Sequence, residues 1–370
     1  MSRKNWKEKE RLEEICRFSI EKLPTSELLR LEKFLTNLLA YKKLDKLDTT
    51  FVKGPKRVIE NYGPKVHCDF NIDGTVTGRL SCSTYYGNNR QPMGVSFHTL
   101  PNKDKKLDVN IRNIYSVDRE HQKFITADYS TMELRVLAHL ADVREMKHAF
   151  NSGLDLHSHT ASLIFEKNIE DVQPDERSQA KTANFLIVYG GGASNLSEVV
   201  GISIKKAQRV IDKHKEVYHE IHRLMLETEE KVRQFKYVEN PFGRRRHLPD
   251  IDSPDAGMQH RVLRQAFNMI IQSTASDILL CADASLMNYI RYHNYKDRVR
   301  IAANVHDSME VICDADIAPI VCHLIIKSMK ENPVARSLIG EFSVPFEVEL
   351  EVGSTFGDGI PMEECYGKEV

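Results

Sequence analysis

KFITADYSTMELRVLAHL, residues 123–140, is the stretch that decides how this chain folds. The apolar run KFITA predicts a strand, and the apolar residues after Tyr129 recur at helical spacing. Asp128 stands between the two elements, so we expect a rigid sheet edge to hold its carboxylate.

A second aspartate, Asp307, stands at a sharp turn farther along the chain. It lies between the apolar runs 299–305 and 309–313, a pattern that predicts a β-hairpin. Two aspartates on strand edges can hold two divalent metal ions about 3.5–4 Å apart, as phosphoryl transfer requires. Either aspartate alone is more commonly a turn or cap residue, so this interpretation needs a further motif.

That motif is RSQAKTANFLIVYGGG, residues 177–192. On a helix, Arg177, Lys181, Phe185 and Tyr189 follow one another at intervals of four residues and share one face. Such cations can bind a triphosphate, and aromatic rings can stack on bases. The alternative is a partly buried helix with basic residues that reach out to solvent.

The composition indicates a folded protein with a large core, since 41% of its 370 residues are hydrophobic. No run approaches the ~20 apolar residues of a membrane span, and the N-terminus resembles neither a signal peptide nor a transit peptide. Seven scattered cysteines without a CxxC pair argue against a disulfide framework. We therefore expect a soluble protein of a reduced, cytoplasmic compartment, and the compact, lysine-rich chain indicates a bacterium or a phage-infected host as its source. The net charge of −1 conceals a basic front and an acidic tail.

Hydrophobic periodicity predicts an α+β fold. Helices are predicted at residues 8–22, 26–47, 130–141, 157–166, 175–189, 203–235, 256–292 and 315–331. Strands are predicted at 111–114, 123–128 and 344–352, in the hairpin, and in the glycine-punctuated segment 65–83. Strands at both ends therefore enclose a helical middle.

Seven segments resemble, in order and spacing, motifs of family A DNA polymerases, the bacterial DNA polymerase I group with its phage-like members. Motifs A, B and C are DYSTMELRVLAHL, RSQAKTANFLIVYG and NVHDSMEV. Further matches are TVTGRLSCS, DLHSHTAS, NPFGRRRHLPD and QAFNMIIQSTASDI. The resemblance implies a right-hand polymerase with an antiparallel-sheet palm, helical fingers and a shortened helical thumb. The implied division is a partial thumb at 1–70, palm at 71–145 and 260–370, and fingers at 146–259.

The resemblance also implies an activity: a template-directed DNA polymerase that adds deoxynucleotides to a primer 3′ end by a two-metal mechanism. Asp128, Asp307 and the backbone carbonyl of Tyr129 would hold two Mg²⁺ ions, for which Mn²⁺ can substitute. Arg177 and Lys181 would bind the incoming triphosphate, and Lys181 would also protonate the pyrophosphate that leaves. The partners would be primer-template DNA and dNTPs, with no membrane.

Further implied roles concern the nucleotide and the DNA. His157 would assist in triphosphate binding, Phe185 would lie against the sugar and base, and Tyr189 would stack at the template base. Glu133 would act as a steric gate against a 2′-hydroxyl and would bond to Tyr189. The implied DNA-binding residues are Arg79, Arg244, Asn268, Gln272 and His306.

These roles have ordinary alternatives. Glu133 could be an exposed helix residue, the arginines around Arg244 could form a solvated patch, and Asn268 with Gln272 could be a polar helix face. His157 and His159 form an HxH pattern, but a zinc site would need a third ligand.

Ser308 departs from the family pattern, which usually has a glutamate after the motif C aspartate. The HDS form is typical of single-subunit RNA polymerases, so an RNA polymerase is an alternative within the class. Glu133 and Phe185 oppose it, because both follow the DNA polymerase pattern. A catalytically silent, DNA-binding accessory subunit is a second alternative, although retention of Asp128 and Asp307 argues against it.

The front of the chain is a second departure. Only about 35 residues precede the segment that resembles the second long thumb helix. An exonuclease domain does not fit there, so we expect no proofreading in this chain. One hypothesis is a split polymerase, completed by a separate exonuclease- and thumb-bearing subunit. The other is a compact enzyme with a shortened thumb.

Overall fold

The computed structural model describes residues 25–84, 86, 94–101, 103 and 108–367. The helix predicted at 8–22 lies outside these residues. Within the described part of the chain, no helix is both long and apolar enough to cross a membrane.

Helices make up most of the described chain. In order they are α1 (Thr25–Leu47), α2 (Lys53–Tyr62), α3 (Met132–Leu140), α4 (Arg144–Asn151), α5 (Leu156–Phe165), α6 (Pro174–Val188), α7 (Ala193–Val200), α8 (Ile204–Val217), α9 (His219–Phe235), α10 (Ala256–Tyr292), α11 (Ala318–Lys330), α12 (Pro333–Ile339) and α13 (Met362–Tyr366). A π-helical turn, Asp48–Val52, connects the first two. Short 3₁₀ helices lie at Phe97–Thr99, Ile111–Ile114, Ile169–Asp171, Pro249–Asp252 and Ala315–Ile317.

The strands of the described residues form one large sheet and two small ones. They are β1 (Cys68–Asn71), β2 (Ser81–Thr84), β3 (Gln122–Tyr129), β4 (Tyr237–Glu239), β5 (Arg245–His247), β6 (Val299–Val305), β7 (Ser308–Asp314), β8 (Val348–Gly353) and β9 (Ile360–Pro361). The large sheet has the order β6-β7-β3-β8-β9, and each neighbouring pair in it is antiparallel. The small sheets pair β1 with β2 and β4 with β5.

Strand β3 is the centre of the large sheet. Ile125 and Ala127 are completely buried on one face, while Asp128 points to the other face and reaches solvent. Thr131 then adopts a left-handed conformation, with φ 53°, and the chain turns from the strand directly into α3. This sharp turn explains why the strand ends where the carboxylate stands.

The long helix α10, with 37 residues, is the main core element. Asp255 caps its start by accepting a hydrogen bond from the Gly257 N–H at 2.8 Å. Helices α3, α9, α11 and α12 all pack on it, so it is buried on several sides. A second cluster joins α5, α6, α7 and α8 through small and branched residues: Ala161, Ile164, Ala180, Ala183, Leu196, Ala207, Val210 and Ile211.

The described residues fall into two compact units. The larger comprises Cys68–Ser83, Ser96–Thr99 and the described part of 112–370, and it contains the large sheet with helices α3 to α13. The smaller comprises 25–67 with the described residues of Thr84–Val95 and Leu100–Ile111, and it contains α1 and α2.

The predicted α+β class is confirmed, as are the helices at 26–47, 130–141, 157–166, 175–189 and 256–292 and the hairpin. The strand predicted at 111–114 is wrong. This segment is a 3₁₀ helix, in which Ile111 and Ile114 lie on the same side at three-residue spacing. The helix predicted at 203–235 is two helices, because the fully buried Tyr218 breaks the helical conformation with φ −113° and ψ 48°. Helices α2, α4, α7, α12 and α13 were not predicted.

Packing of α3 against the sheet and α10 gives the first prediction. Leu137→Ala removes a completely buried side chain, so we expect a loss of about 2–5 kcal/mol in the free energy of unfolding, measured by urea denaturation. Leu226→Ala is the matched control, since Leu226 is 67% exposed on α9, and it should change stability by less than about 0.5 kcal/mol. Equal losses in the two variants would contradict this packing.

Candidate active site

Asp128 and Asp307 lie together at one edge of the large sheet. Antiparallel pairing places Asp128 opposite Ser308, the residue that follows Asp307. The Tyr129 N–H donates a hydrogen bond to the Asp307 carbonyl at 3.3 Å. Asp307 stands in the two-residue turn between β6 and β7, where His306 takes a left-handed conformation with φ 58°. Two strand pairings therefore bring together carboxylates that are far apart in sequence.

Acidic residues crowd this face of the sheet. Solvent still reaches Asp128, but desolvation by the surrounding protein, with the charges of Asp307 and Glu349, raises its pKa to about 6. Burial likewise raises the pKa of Asp307. Below them, burial raises the pKa of Glu310 to about 7, although it accepts hydrogen bonds from Thr126 at 2.6 Å and Ser308 at 2.7 Å.

The donor set fits Mg²⁺. Two carboxylates that destabilise each other's charge would gain from a bound cation, and carboxylate and carbonyl oxygens are its preferred ligands. Among the described residues, no group of three His, Cys, Asp or Glu side chains could hold a metal ion. Mg²⁺ is commonly bound by one or two carboxylates together with substrate phosphates, and Asp128 and Asp307 offer that number of carboxylates.

Glu133 is the centre of a second cluster beside the aspartates. It lies in the first turn of α3 and is buried, with 6% exposure. One carboxylate oxygen accepts a hydrogen bond from Arg79, and the other accepts one from the hydroxyl of Tyr189. Gln272 donates from its amide nitrogen to the same hydroxyl at 3.2 Å. Glu133 is thus a buried hub and not an exposed helix residue, and its predicted bond to Tyr189 is present.

Helix α6 carries the predicted basic and aromatic face. Arg177 makes a bidentate ion pair with Asp155, with N–O distances of 2.9 and 2.8 Å. Lys181 is exposed to solvent. The Phe185 ring lies near the buried His157 ring, with centroids 5.9 Å apart. The face is therefore partly solvent-accessible and partly packed, and it begins with an internally paired arginine.

The remaining predicted residues lie in different surroundings. Arg244 pairs with Asp277 and also donates to the Ile72 carbonyl at 2.9 Å, beside a cleft of about 410 Å³. Asn268 is half-buried, and its amide oxygen makes no hydrogen bond within the described residues. His306 is exposed and lies against His98, with ring centroids 5.2 Å apart.

Sequence reasoning missed the acidic partners of the arginines. Asp155 could have been predicted as a helix cap, because it precedes a predicted helix. In the structure it accepts a hydrogen bond from the Ser158 N–H at 2.7 Å. Its pairing with Arg177, 22 residues away, has no local signal. No local signal indicates the pairing of Asp277 with Arg244 either, or the contact of the buried Glu310 with Ser308.

Comparison with known proteins identifies the family of this chain. Residues 8–358 match the family model described as DNA polymerase family A. The chain belongs to DNA polymerase family A. Its similarity to DNA polymerase I of Treponema pallidum (strain Nichols) is 33% identity over 341 residues, which covers 92% of this chain and 32% of the relative.

Other family A members give the same result. DNA polymerase I of Bacillus caldotenax is 32% identical over 320 residues, which covers 86% of this chain and 34% of the relative. The chain thus spans about a third of the length of these curated relatives. A solved structure, the POL domain of Pol1 from M. smegmatis in complex with DNA primer-template and dNTP, matches with a TM-score of 0.76. That match has 26% identity and covers 90% of this chain and 55% of the other.

The Glu133 cluster of this family A chain gives the second prediction. Burial and the hydrogen bond to Glu133 raise the pKa of Tyr189 to about 12. Glu133→Gln removes the negative charge that opposes phenolate formation, so the pKa of Tyr189 should fall towards its ordinary value of about 10. Ultraviolet difference titration against a Tyr189→Phe variant isolates this phenol. An unchanged Tyr189 titration would show that the carboxylate does not contact the phenol in solution.

Proposed function

We propose that this chain is a template-directed DNA polymerase that adds deoxynucleotides to a primer 3′ end. The observation that carries the proposal is the convergence of Asp128 and Asp307 at adjacent strand edges, beside the Glu133–Tyr189 pair. Family membership supports it, and the similar Pol1 domain is described with primer-template DNA and dNTP. The substrates of this chain would then be a primer-template duplex and dNTPs.

In the proposed reaction, the primer 3′-hydroxyl attacks the α-phosphate of the incoming nucleotide. A bond forms between that oxygen and phosphorus, the hydroxyl proton passes to solvent, the bond to the oxygen that bridges to the β-phosphate breaks, and pyrophosphate leaves. Asp128, Asp307 and the Tyr129 carbonyl are proposed to hold two Mg²⁺ ions, or Mn²⁺ in their place. Such ions lower the barrier by stabilising charge on the attacking and leaving oxygens.

Residues of α5 and α6 are proposed to bind the triphosphate. Arg177 and Lys181 supply positive charge, and His157 supplies a hydrogen-bond donor. The Lys181 ammonium, which is exposed to solvent, can pass a proton to the departing pyrophosphate and regain one from water. These contacts hold the α-phosphate in place for attack, and such positioning is a large part of catalysis in phosphoryl transfer.

We propose that the aromatic residues of the site, together with Glu133, select the sugar and the base of the incoming nucleotide. Phe185 would lie against the nucleotide sugar and base, and Tyr189 would stack at the template base. Glu133 would occupy the space of a 2′-hydroxyl, a position fixed by its bonds to Arg79 and Tyr189.

DNA contacts are proposed for residues around this site. Arg79, Asn268 and Gln272 would read the minor groove, where acceptor positions are common to all base pairs. Arg244 would contact backbone phosphates from its cleft, and His306 would lie near the primer end.

We assign residues 1–70 to a partial thumb, 71–145 and 260–370 to the palm, and 146–259 to the fingers. An RNA polymerase and a silent accessory subunit are not favoured, because the relatives are DNA polymerases. The match to a single polymerase-domain chain gives no support to a separate thumb-bearing subunit. A cytoplasmic location stays a prediction.

The third prediction tests the carboxylates. Asp128→Asn and Asp307→Asn should each reduce primer extension with Mg²⁺ by at least about a hundredfold, because each removes a proposed metal ligand. The exposed Asp297 provides the matched control, and Asp297→Asn should retain full activity. Extension of a labelled primer on a gel is the measurement. Wild-type rates in both site variants would refute the proposed function.

The fourth prediction tests the steric gate. Glu133→Ala opens the space proposed to exclude a 2′-hydroxyl, so kcat/KM for ribonucleotides relative to dNTPs should rise by about tenfold or more. The exposed Glu230 offers a control, Glu230→Ala, with unchanged selectivity. Efficient ribonucleotide use by the unaltered protein would favour the RNA polymerase alternative instead.

A further inference from the structure

A buried polar network lies behind the nucleotide-facing side of α6. Its centre is Asn184, which is completely inaccessible to solvent. The amide oxygen of Asn184 lies 2.8 Å from Nε2 of His214, on α8. Its amide nitrogen donates to the Thr160 hydroxyl at 3.0 Å and lies 3.2 Å from Nδ1 of His157, both on α5. One amide therefore connects three helices.

His214 fixes the orientation of this amide. Burial lowers the pKa of His214 to about 3, so the ring is neutral and carries one proton. Its Nδ1 atom is buried and has no hydrogen-bond partner among the described residues. A proton there would be an unpaired buried donor, so the proton resides on Nε2 and is donated to the oxygen of Asn184.

Thr160 supports the same orientation independently. Its single hydroxyl proton is donated to the Leu156 carbonyl at 2.8 Å. The oxygen of Thr160 is then an acceptor, for the Asn184 amide at 3.0 Å and for the Tyr218 hydroxyl at 2.7 Å. Rotating the amide by 180° would place two acceptors face to face at Thr160 and leave His214 with an unpaired donor.

The orientation of the amide decides where His157 carries its proton. Nδ1 of His157 faces an amide N–H, so it must be an acceptor. Burial lowers the pKa of His157 to about 4; the charges of Arg177 and Lys181 also lower it, and Asp155 opposes them. The ring is therefore neutral at pH 7, and its only proton is on Nε2.

We propose that Asn184 is a positioning residue that holds His157 as the neutral Nε2–H tautomer, so that this ring donates to the triphosphate of the incoming nucleotide. The inference rests on the proposed function for its last step, and on the hydrogen bonds and the burial of this network for the tautomer. It assigns to His214, on a different helix, the role of setting the position of the His157 proton through the Asn184 amide. A neutral donor beside Arg177 and Lys181 adds a directional contact without a third repelling charge.

Nitrogen-15 NMR of histidine-labelled protein tests the tautomer without any need for activity. The wild type should show Nδ1 of His157 unprotonated and Nε2 protonated, with the signal assigned by its loss in a His157→Gln variant. Asn184→Asp replaces the amide donor by an acceptor of nearly the same shape. It should therefore move the His157 proton to Nδ1, and KM for dNTPs should rise by about tenfold with a smaller change in kcat.

The control is Asn195→Asp, which adds the same charge at an exposed position on α7 and should leave both the tautomer and KM unchanged. If Asn184→Asp does not fold, His214→Phe removes the donor at the other end of the network and should give a mixture of His157 tautomers. A wild-type His157 with Nδ1 protonated, or a tautomer that neither variant alters, would overturn the inference. The expected tautomer in a protein without primer extension would refute the proposed function and leave the role of Asn184 intact.

Discussion

The antiparallel pairing of β3 with β7 is the constraint on which the rest of the site depends. It sets Asp128 opposite Ser308, so Asp307 in the adjoining turn must lie beside the end of β3. A shift of one residue in this register would turn Asp128 to the buried face of the sheet, where Ala127 and Ile125 now pack. The hydrophobic core on one face of the sheet therefore fixes the register that brings the carboxylates together on the other face. The stability of the fold and the chemistry of the site depend on the same register.

The acidic face and the basic helix face are complementary parts of one proposed mechanism. Burial and the charges of Asp307 and Glu349 raise the pKa of Asp128, and burial raises that of Asp307, a costly arrangement that bound cations would relieve. In the proposed function, helix α6 would supply the positive charge and the aromatic rings that contact the nucleotide. Glu133 connects the two, because it stands on α3 directly after the strand and bonds to Tyr189 just beyond the end of α6.

The local sequence pattern predicts the strands and helices that carry the site. It does not predict which side chains of different elements contact each other. The strand before Asp128, the hairpin around Asp307 and the helix from Arg177 all follow from hydrophobic periodicity. The 3₁₀ helix at Ile111–Ile114 is too short for periodicity to distinguish from a strand, and the break at Tyr218 arises from its burial against other helices. The Asn184 network depends on three helices meeting, which no local pattern records.

The ion pair between Arg177 and Asp155 has a consequence for how a polyanion would enter. The guanidinium is already paired with a carboxylate, so nucleotide binding at this position would exchange one anion for another. Asp155 is then an internal competitor for the arginine, and it lowers the net gain from each new contact. After the exchange, the released Asp155 carboxylate could still cap α5, since it would keep its hydrogen bond from the Ser158 N–H. Discrimination would therefore favour ligands with enough charge to outcompete a built-in carboxylate, which disfavours monophosphates relative to triphosphates.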